Sequence, residues 1–225
     1  MKFTLTFLSI VAFFLFSNPI NAQLNITTGY ELNYQLANDF NDIIKEFNTQ
    51  NDFLEENLDE LRIMHGLQLG LQYEIEDFLA FTLGWKYRFK NSESSGIDPN
   101  TSEEVRRDLF IRQNVISVGF ENKFGLVGYG ATFDYNRTRF RQEKNNSNNK
   151  EDISSGQNFS STFFLSFTSS PSNQTKLSVR PYIQVPWSKL NLDQLNMELN
   201  ESSGTEKIED GFLSFGLMLI FINGG

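Results

Sequence analysis

The chain contains no cysteine. That excludes disulfides, thiolate chemistry and a bacterial lipoprotein signal, which needs a Cys at its cleavage point. It has one histidine, His65, and no calcium-loop pattern of alternating Asp and Asn before a Gly, so metal ligation finds little support. No phosphate-cradling glycine motif is present. After the first segment, no stretch comes near the roughly eighteen consecutive apolar residues that a transmembrane helix needs. Lys and Arg number 19 against 28 Asp and Glu, for a formal net charge of -9. Nucleic acid is therefore not an expected partner, because phosphate binding needs cations in excess.

What the chain does have is aromatic residues, 23 Phe, 7 Tyr and 2 Trp, set in a repeated apolar–polar alternation. A mean hydropathy of -0.36 hides this, because an inward polar face and polar loops dilute the average. In 78–90, Leu79, Phe81, Leu83, Trp85, Tyr87 and Phe89 share one face, while Ala80, Thr82, Gly84, Lys86, Arg88 and Lys90 share the other. A period of two is the signature of a strand. The same reading predicts strands at 26–36, 63–75, 108–121, 124–137, 158–169, 175–187 and 212–221. Phase is unclear around 110–114, which suggests a bulge there. Pro181 and Pro186 weaken the expectation of regular pairing in 175–187.

The connections alternate. Short turns are expected at Glu76-Asp77, Asn122-Lys123 and 170–173, and long loops at 37–62, 91–107, 139–157 and 188–210. The third long loop holds the low-complexity run 145–149, expected to be mobile. The first has a helical spacing in Phe40, Ile43, Ile44 and Phe47, with Asn38 or Asp39 as a possible cap and a break at Asn51-Asp52. Phe53, Leu54, Leu58 and Leu61 continue an amphipathic pattern. Segregated loop lengths and strands of about ten residues predict an all-β fold: an eight-stranded antiparallel up-and-down transmembrane β-barrel with a helical segment in its first long loop. Tyr34, Trp85, Tyr87, Tyr135 and Trp187 toward the long-loop end, and Phe78, Phe120, Phe124 and Phe221 toward the short-turn end, fit two interfacial belts.

The start of the chain fits a secretory signal peptide, 1–22: basic Met1-Lys2, an apolar run over 3–16, a break at Asn18-Pro19, and Ala22 before the cleavage point. The barrel domain would then be 23–225. With this signal, about eight strands and the terminal Gly216-Leu217-Met218-Leu219-Ile220-Phe221, the chain resembles the small outer-membrane barrels of gram-negative bacteria. That terminal stretch resembles the signal read by the barrel-insertion machinery, although Ile222-Asn223-Gly224-Gly225 follows the aromatic. Arg180-Pro181-Tyr182-Ile183-Gln184-Val185-Pro186 and the Asn-Ala-Gln signal end resemble the outer-membrane β-barrel domain family abundant in Bacteroidota. The resemblance implies an outer-membrane location, long loops outside, both termini periplasmic, and outer-membrane lipid around the wall. It implies no assigned activity.

Inward positions include Glu31, Glu74, Glu121 and Asp134 against Lys86, Arg88, Lys90 and Arg180. In a narrow lumen such charges should pair, since an unpaired one is costly. A polar network holding the barrel shut is the first expectation; an ion pathway is the alternative, and conductance in a bilayer would separate them. Some small outer-membrane barrels resembling this one in size transfer or remove lipid acyl chains with His and Ser, and here only His65 could serve. No Ser–His spacing supports it. The acidic first loop suits a cap across the mouth, or a site for a protein partner at 37–62. The reading favoured is a non-catalytic outer-membrane barrel with no cofactor, whose loops bind something or stabilise the envelope. A narrow channel, a lipid-modifying enzyme and a secreted lipocalin-like barrel stay open beside it.

Overall fold

The computed structural model describes residues 22–75, 78–145, 149–169, 175–201 and 207–223. The expected signal peptide lies outside them except for Ala22, which pairs with Ile75. The elements in chain order are β1 (Ala22–Leu36), α1 (Asn38–Gln50), β2 (Leu54–Glu56), β3 (Ile63–Ile75), β4 (Leu79–Ile97), β5 (Glu104–Phe124), β6 (Val127–Lys144), β7 (Glu151–Thr168), β8 (Thr175–Pro186), β9 (Leu190–Asn191), α2 (Asp193–Asn200), β10 (Glu209–Asp210) and β11 (Leu213–Asn223).

Eight of these strands form a closed ring. The nine-stranded sheet runs β2-β4-β3-β1-β11-β8-β7-β6-β5, and β4 pairs with β5 to close it. All ring pairs are antiparallel, and the first and last strands meet from Ile26↔Asn223 to Leu36↔Leu213. Closure leaves the ring no free sheet edge, as an up-and-down barrel requires. Above the end of β3, the short β2 takes over beside β4, with Leu54 opposite Gly96.

Alternation sorts the strand residues between two environments. Leu67, Leu69, Leu71, Phe81, Leu83, Val118, Phe133, Phe163, Ile183, Leu217 and Leu219 are exposed on the outer wall. Glu31, Gln72, Arg88, Glu121, Asp134, Thr162, Ser178 and Ser214 are buried inside. Apolar outside and charged inside is the reverse of a lipocalin-like barrel, so that alternative is overturned.

Several expectations are corrected. Within the expected loops 91–107 and 139–157, residues 91–97, 104–107, 139–144 and 151–157 are strand. The β4–β5 register runs unbroken from Leu79↔Asn122 to Ile97↔Glu104, and β6 and β7 extend to Lys144 and from Glu151. The bulge expected at 110–114 is absent. The phase was hard to see because the inward side changes character: Gln113 is followed inward by buried Ile111 and Leu109. The register shift falls instead between β6 and β7, at Phe140/Arg141, where Ile153 is the extra residue. The short turn lies at Gly125-Leu126, three residues beyond Asn122-Lys123, so Phe124 ends β5. Gly125 has φ +65°, a left-handed conformation that glycine takes without strain. Of residues 53–58 none is helical, and 54–56 form the short strand β2. The turns at 76–77 and 170–173, and 146–148 of the low-complexity run, lie outside the described residues.

The prolines act as their chemistry predicts. Pro181 has no N–H to give, and β7–β8 pairing lapses between Phe164↔Tyr182 and Phe167↔Val179, then resumes in the same register.

Candidate functional site

Two linked regions gather the polar and packing chemistry of the molecule: the filled lumen and an apolar cap over its long-loop mouth. In the lumen, seven of the eight sequence-predicted residues (Glu31, Glu74, Lys86, Arg88, Glu121, Asp134 and Arg180) are buried. Arg88 donates from Nε to Glu31 at 2.5 Å, and from Nη1 to Gln113 at 2.9 Å and Gln184 at 2.7 Å. Arg180 donates to Glu121 at 2.8 Å, and Glu121 also accepts from Gln72 at 3.0 Å and Ser166 at 2.5 Å. Asp134 accepts from Thr162, from Thr132 at 2.8 Å and from Gln184 at 3.3 Å. Glu74 pairs with Lys123 and, at 3.7 Å, with Lys176 near the short-turn mouth. Lys86 lies over the Tyr182 ring, 5.9 Å from its centroid.

Charge was legible in the sequence; the uncharged half of this network was not. Gln184 links three strands by bonding Arg88, Asp134 and, at 2.7 Å, Ser160. Tyr182 accepts from Asn33 at 2.6 Å and donates to Glu31 at 3.4 Å. Its place between the two prolines hid its inward phase. Side chains fill the bore. The space between Gln68, Lys86, Thr162 and Arg180 is about 30 Å³, room for one or two waters.

The cap is built on the inward switch from polar to apolar. Phe40, Ile43, Ile44 and Phe47 of α1 are buried with Leu192, Leu195 and Leu199 around α2 and with Leu109, Ile111, Phe140 and Ile153 of the extended hairpins. Phe40 stacks on Phe140 at 5.6 Å and meets Phe212 edge-on at 6.3 Å. Helix α2 and the β9–β10 ladder were not foreseen, because 188–210 is polar and offers only a short apolar spacing.

Neither Asn38 nor Asp39 caps α1. The N-cap position is Ala37, with no side-chain bond of its own. Asp210 supplies the missing acceptor from far along the chain. Its Oδ2 accepts from the Asp39 and Phe40 amides at 3.0 and 3.3 Å, and its Oδ1 from the Phe212 amide at 2.9 Å. Burial, with the Asp39 charge, pushes the Asp210 carboxyl above its ordinary 3.8, against the pull of those amides. The folded cap therefore holds this proton more tightly than the unfolded chain. That contribution is complete below the ordinary value and fades as pH rises through the raised one. Amides of Asp39 and Phe40 should exchange more slowly at about pH 4 than at about pH 7 once intrinsic exchange is divided out. Equal protection at both would show that Asp210 does not govern the helix start.

The aromatic residues of the two expected belts lie on the outer face. Toward the long loops, Trp85 and Tyr87 stack at 6.2 Å, Trp187 meets Phe133 at 5.1 Å, Tyr135 meets Phe159 at 5.5 Å, and Tyr34 stacks on Phe215 at 5.4 Å. Toward the short turns, Phe124 stacks on Tyr129 at 5.9 Å, while Phe78, Phe120 and Phe221 are exposed. His65 joins the outer row: its Nδ1 bonds the Tyr30 hydroxyl, and its ring lies against Phe89 at 6.0 Å. No serine hydroxyl bonds His65 among the described residues, and no group there has the makings of a metal site.

No protein-family model matches the chain, and no curated protein does either. Among solved structures, it is similar to Ail, the attachment invasion locus protein of Yersinia pestis, in complex with the heparin analogue sucrose octasulfate. Identity is 11% and the TM-score 0.44, over 90% of this chain and 97% of that one. It is also similar to Neisserial surface protein A, at 9% identity and a TM-score of 0.44 over 90% and 98% of the two chains. The translocator domain of autotransporter NalP from Neisseria meningitidis gives 6% and 0.36, over 99% and 94%.

Proposed function

We propose that this protein is a non-catalytic, integral outer-membrane β-barrel whose lumen is closed and whose long loops fold into an extracellular cap that binds a partner or stabilises the envelope. The observation that carries the reading is the continuous apolar outer wall on every strand of a closed ring, with the charges turned inside. In water such a wall would aggregate; against hydrocarbon it has its natural solvent, and no unpaired sheet edge is left in lipid. From Leu79 to Phe89 the outward face of β4 is apolar or aromatic over the roughly ten residues that a tilted strand needs to cross. The two rows of outward aromatics suit the two interfaces. The cap then lies outside the cell and both ends of the ring on the periplasmic side. Gly216–Phe221, within β11, is the segment offered to the insertion machinery.

The bore is packed at mid-height, where about 30 Å³ is free, and widens to a space of about 320 Å³ at the short-turn mouth beside Glu74, Lys123 and Lys176; the mid-bore packing supports a shut barrel over an ion pathway. The outward, aromatic setting of His65 supports an interfacial side chain over a general base. The face of α1 turned away from the core, with Asp42 and Glu46, is acidic and would suit a basic partner at 37–62. The test is the mobility in SDS of the outer-membrane fraction, boiled against unboiled. A heat-dependent shift, with the chain in that fraction and its cap cleavable by protease on whole cells, is the expected result. A soluble protein in periplasm or medium without a shift would sink the reading.

A further inference from the structure

We propose that the outer face of the β5–β6 hairpin, at Arg112, Arg137 and Arg139, binds the phosphate of an outer-leaflet lipid headgroup, an inference that rests on the outer-membrane reading above. Arg112 and Arg139 stand directly opposite each other, and Arg137 lies one pair further along, opposite Asn114. Like charges in direct cross-strand register oppose pairing. No carboxylate reaches any of the three among the described residues, and their outward neighbours across the strands, Phe89, Asn114 and Gln157, carry no charge. Elsewhere this acidic chain neutralises its surface guanidinium groups: Arg106 with Asp108 at 3.1 Å, Arg141 with Asp152 at 2.5 Å, Arg62 with Glu60 at 2.8 Å. Arg107, bonded to the Leu199 carbonyl and lying over Phe47, also lacks a carboxylate, but it stands alone; Arg112, Arg137 and Arg139 are three neighbours left without an anion.

Arg112 is also held in place before any ligand arrives. It donates to the Lys90 and Ile111 carbonyls at 3.0 and 2.9 Å and to Asn91 at 2.7 Å. Its guanidinium lies over Phe89 and Phe110, at 6.0 and 5.5 Å. Lys150, over the same Phe110 ring at 4.0 Å, brings a further positive charge beside it. Height selects the ligand. Ile116 and Tyr135 lie one pair below Arg137 on the same face, and Tyr87 and Phe89, the last outward aromatics of β4, stand beside Asn114 and Arg112, so the row lies level with the aromatic edge of the wall. The arginines thus begin where the hydrocarbon stops and phosphate groups lie. A guanidinium fork matches a phosphate's oxygens in pairs, which a point charge cannot do.

The test titrates the detergent-purified full chain with diphosphoryl lipid A, its dephosphorylated counterpart and inorganic phosphate, read by native mass spectrometry. The wild type should retain the diphosphoryl form, and R112Q/R137Q/R139Q should hold it about tenfold or more less tightly. Equal binding by the triple variant, or of the dephosphorylated lipid, would overturn the proposal. Competition by inorganic phosphate at the same concentration would also overturn it, pointing to a free-anion site. The unboiled mobility shift is read on the same samples. Its loss from the wild type would sink the membrane reading itself, whereas a shift without phosphate dependence sinks this proposal alone. Should the triple variant fail to fold, R139Q alone is titrated, with the same two outcomes.

Discussion

Replacing Arg88 by alanine should lower the stability of the barrel by about 3–5 kcal/mol, because it leaves Glu31 charged and buried without its partner. Both side chains are fully enclosed, and their bond at 2.5 Å joins β1 to β4 over Gly66 of the intervening β3. Gln113 and Gln184 lose their donor in the same stroke, so the cost spreads into the Asp134 side of the network. Equilibrium unfolding by urea in detergent micelles would read the loss as a lower midpoint. Glu31→Met with Arg88→Met should recover much of it, since removing both charges strands neither. A single variant within about 1 kcal/mol of wild type would mean that water reaches Glu31 and that the lumen is wetter than its packing implies.

Phe40→Ala is expected to undo the cap while sparing the ring. The side chain is fully buried between Phe140 and Phe212, and losing a ring of that size in such a site costs about 3–5 kcal/mol. The helix α1 has no side-chain cap of its own and leans on tertiary contacts, so little else would hold it. Limited proteolysis should cut the 51–62 stretch much faster than in the wild type, with the heat-dependent mobility shift unchanged. If cutting stays slow, the cap rests on its other contacts. If the shift is lost as well, cap and ring form one cooperative unit.

Alternation made the ring legible because a strand with one apolar and one polar side repeats every two residues. It served for β3, whose bounds of 63 and 75 it places correctly. It failed wherever the inward side stopped being polar. In β5 the inward series Gln113, Ile111, Leu109 keeps its phase but changes character, so a regularly paired strand looked bulged. The lumen charges were readable because a charge against an apolar face stands out; Gln184 alternates inward as well, but nothing local says that it bonds Arg88 and Asp134, and Tyr182 between two prolines hides its phase. Asp210 capping α1 from 170 residues away has no local signature at all. The arginine row was in plain view as residues, yet only the register puts Arg112 opposite Arg139.

The clasp between Asp210 and α1 joins the two ends of the chain. Helix α1 follows β1, Asp210 and Phe212 precede β11, and β1 and β11 are the strands that meet last around the ring. Until β11 arrives, the greasy face of α1 has neither its cap nor Phe212 to rest on. A chain ending before 207 would keep every residue of α1 yet lack the carboxylate that starts the helix and the ring that meets Phe40 edge-on.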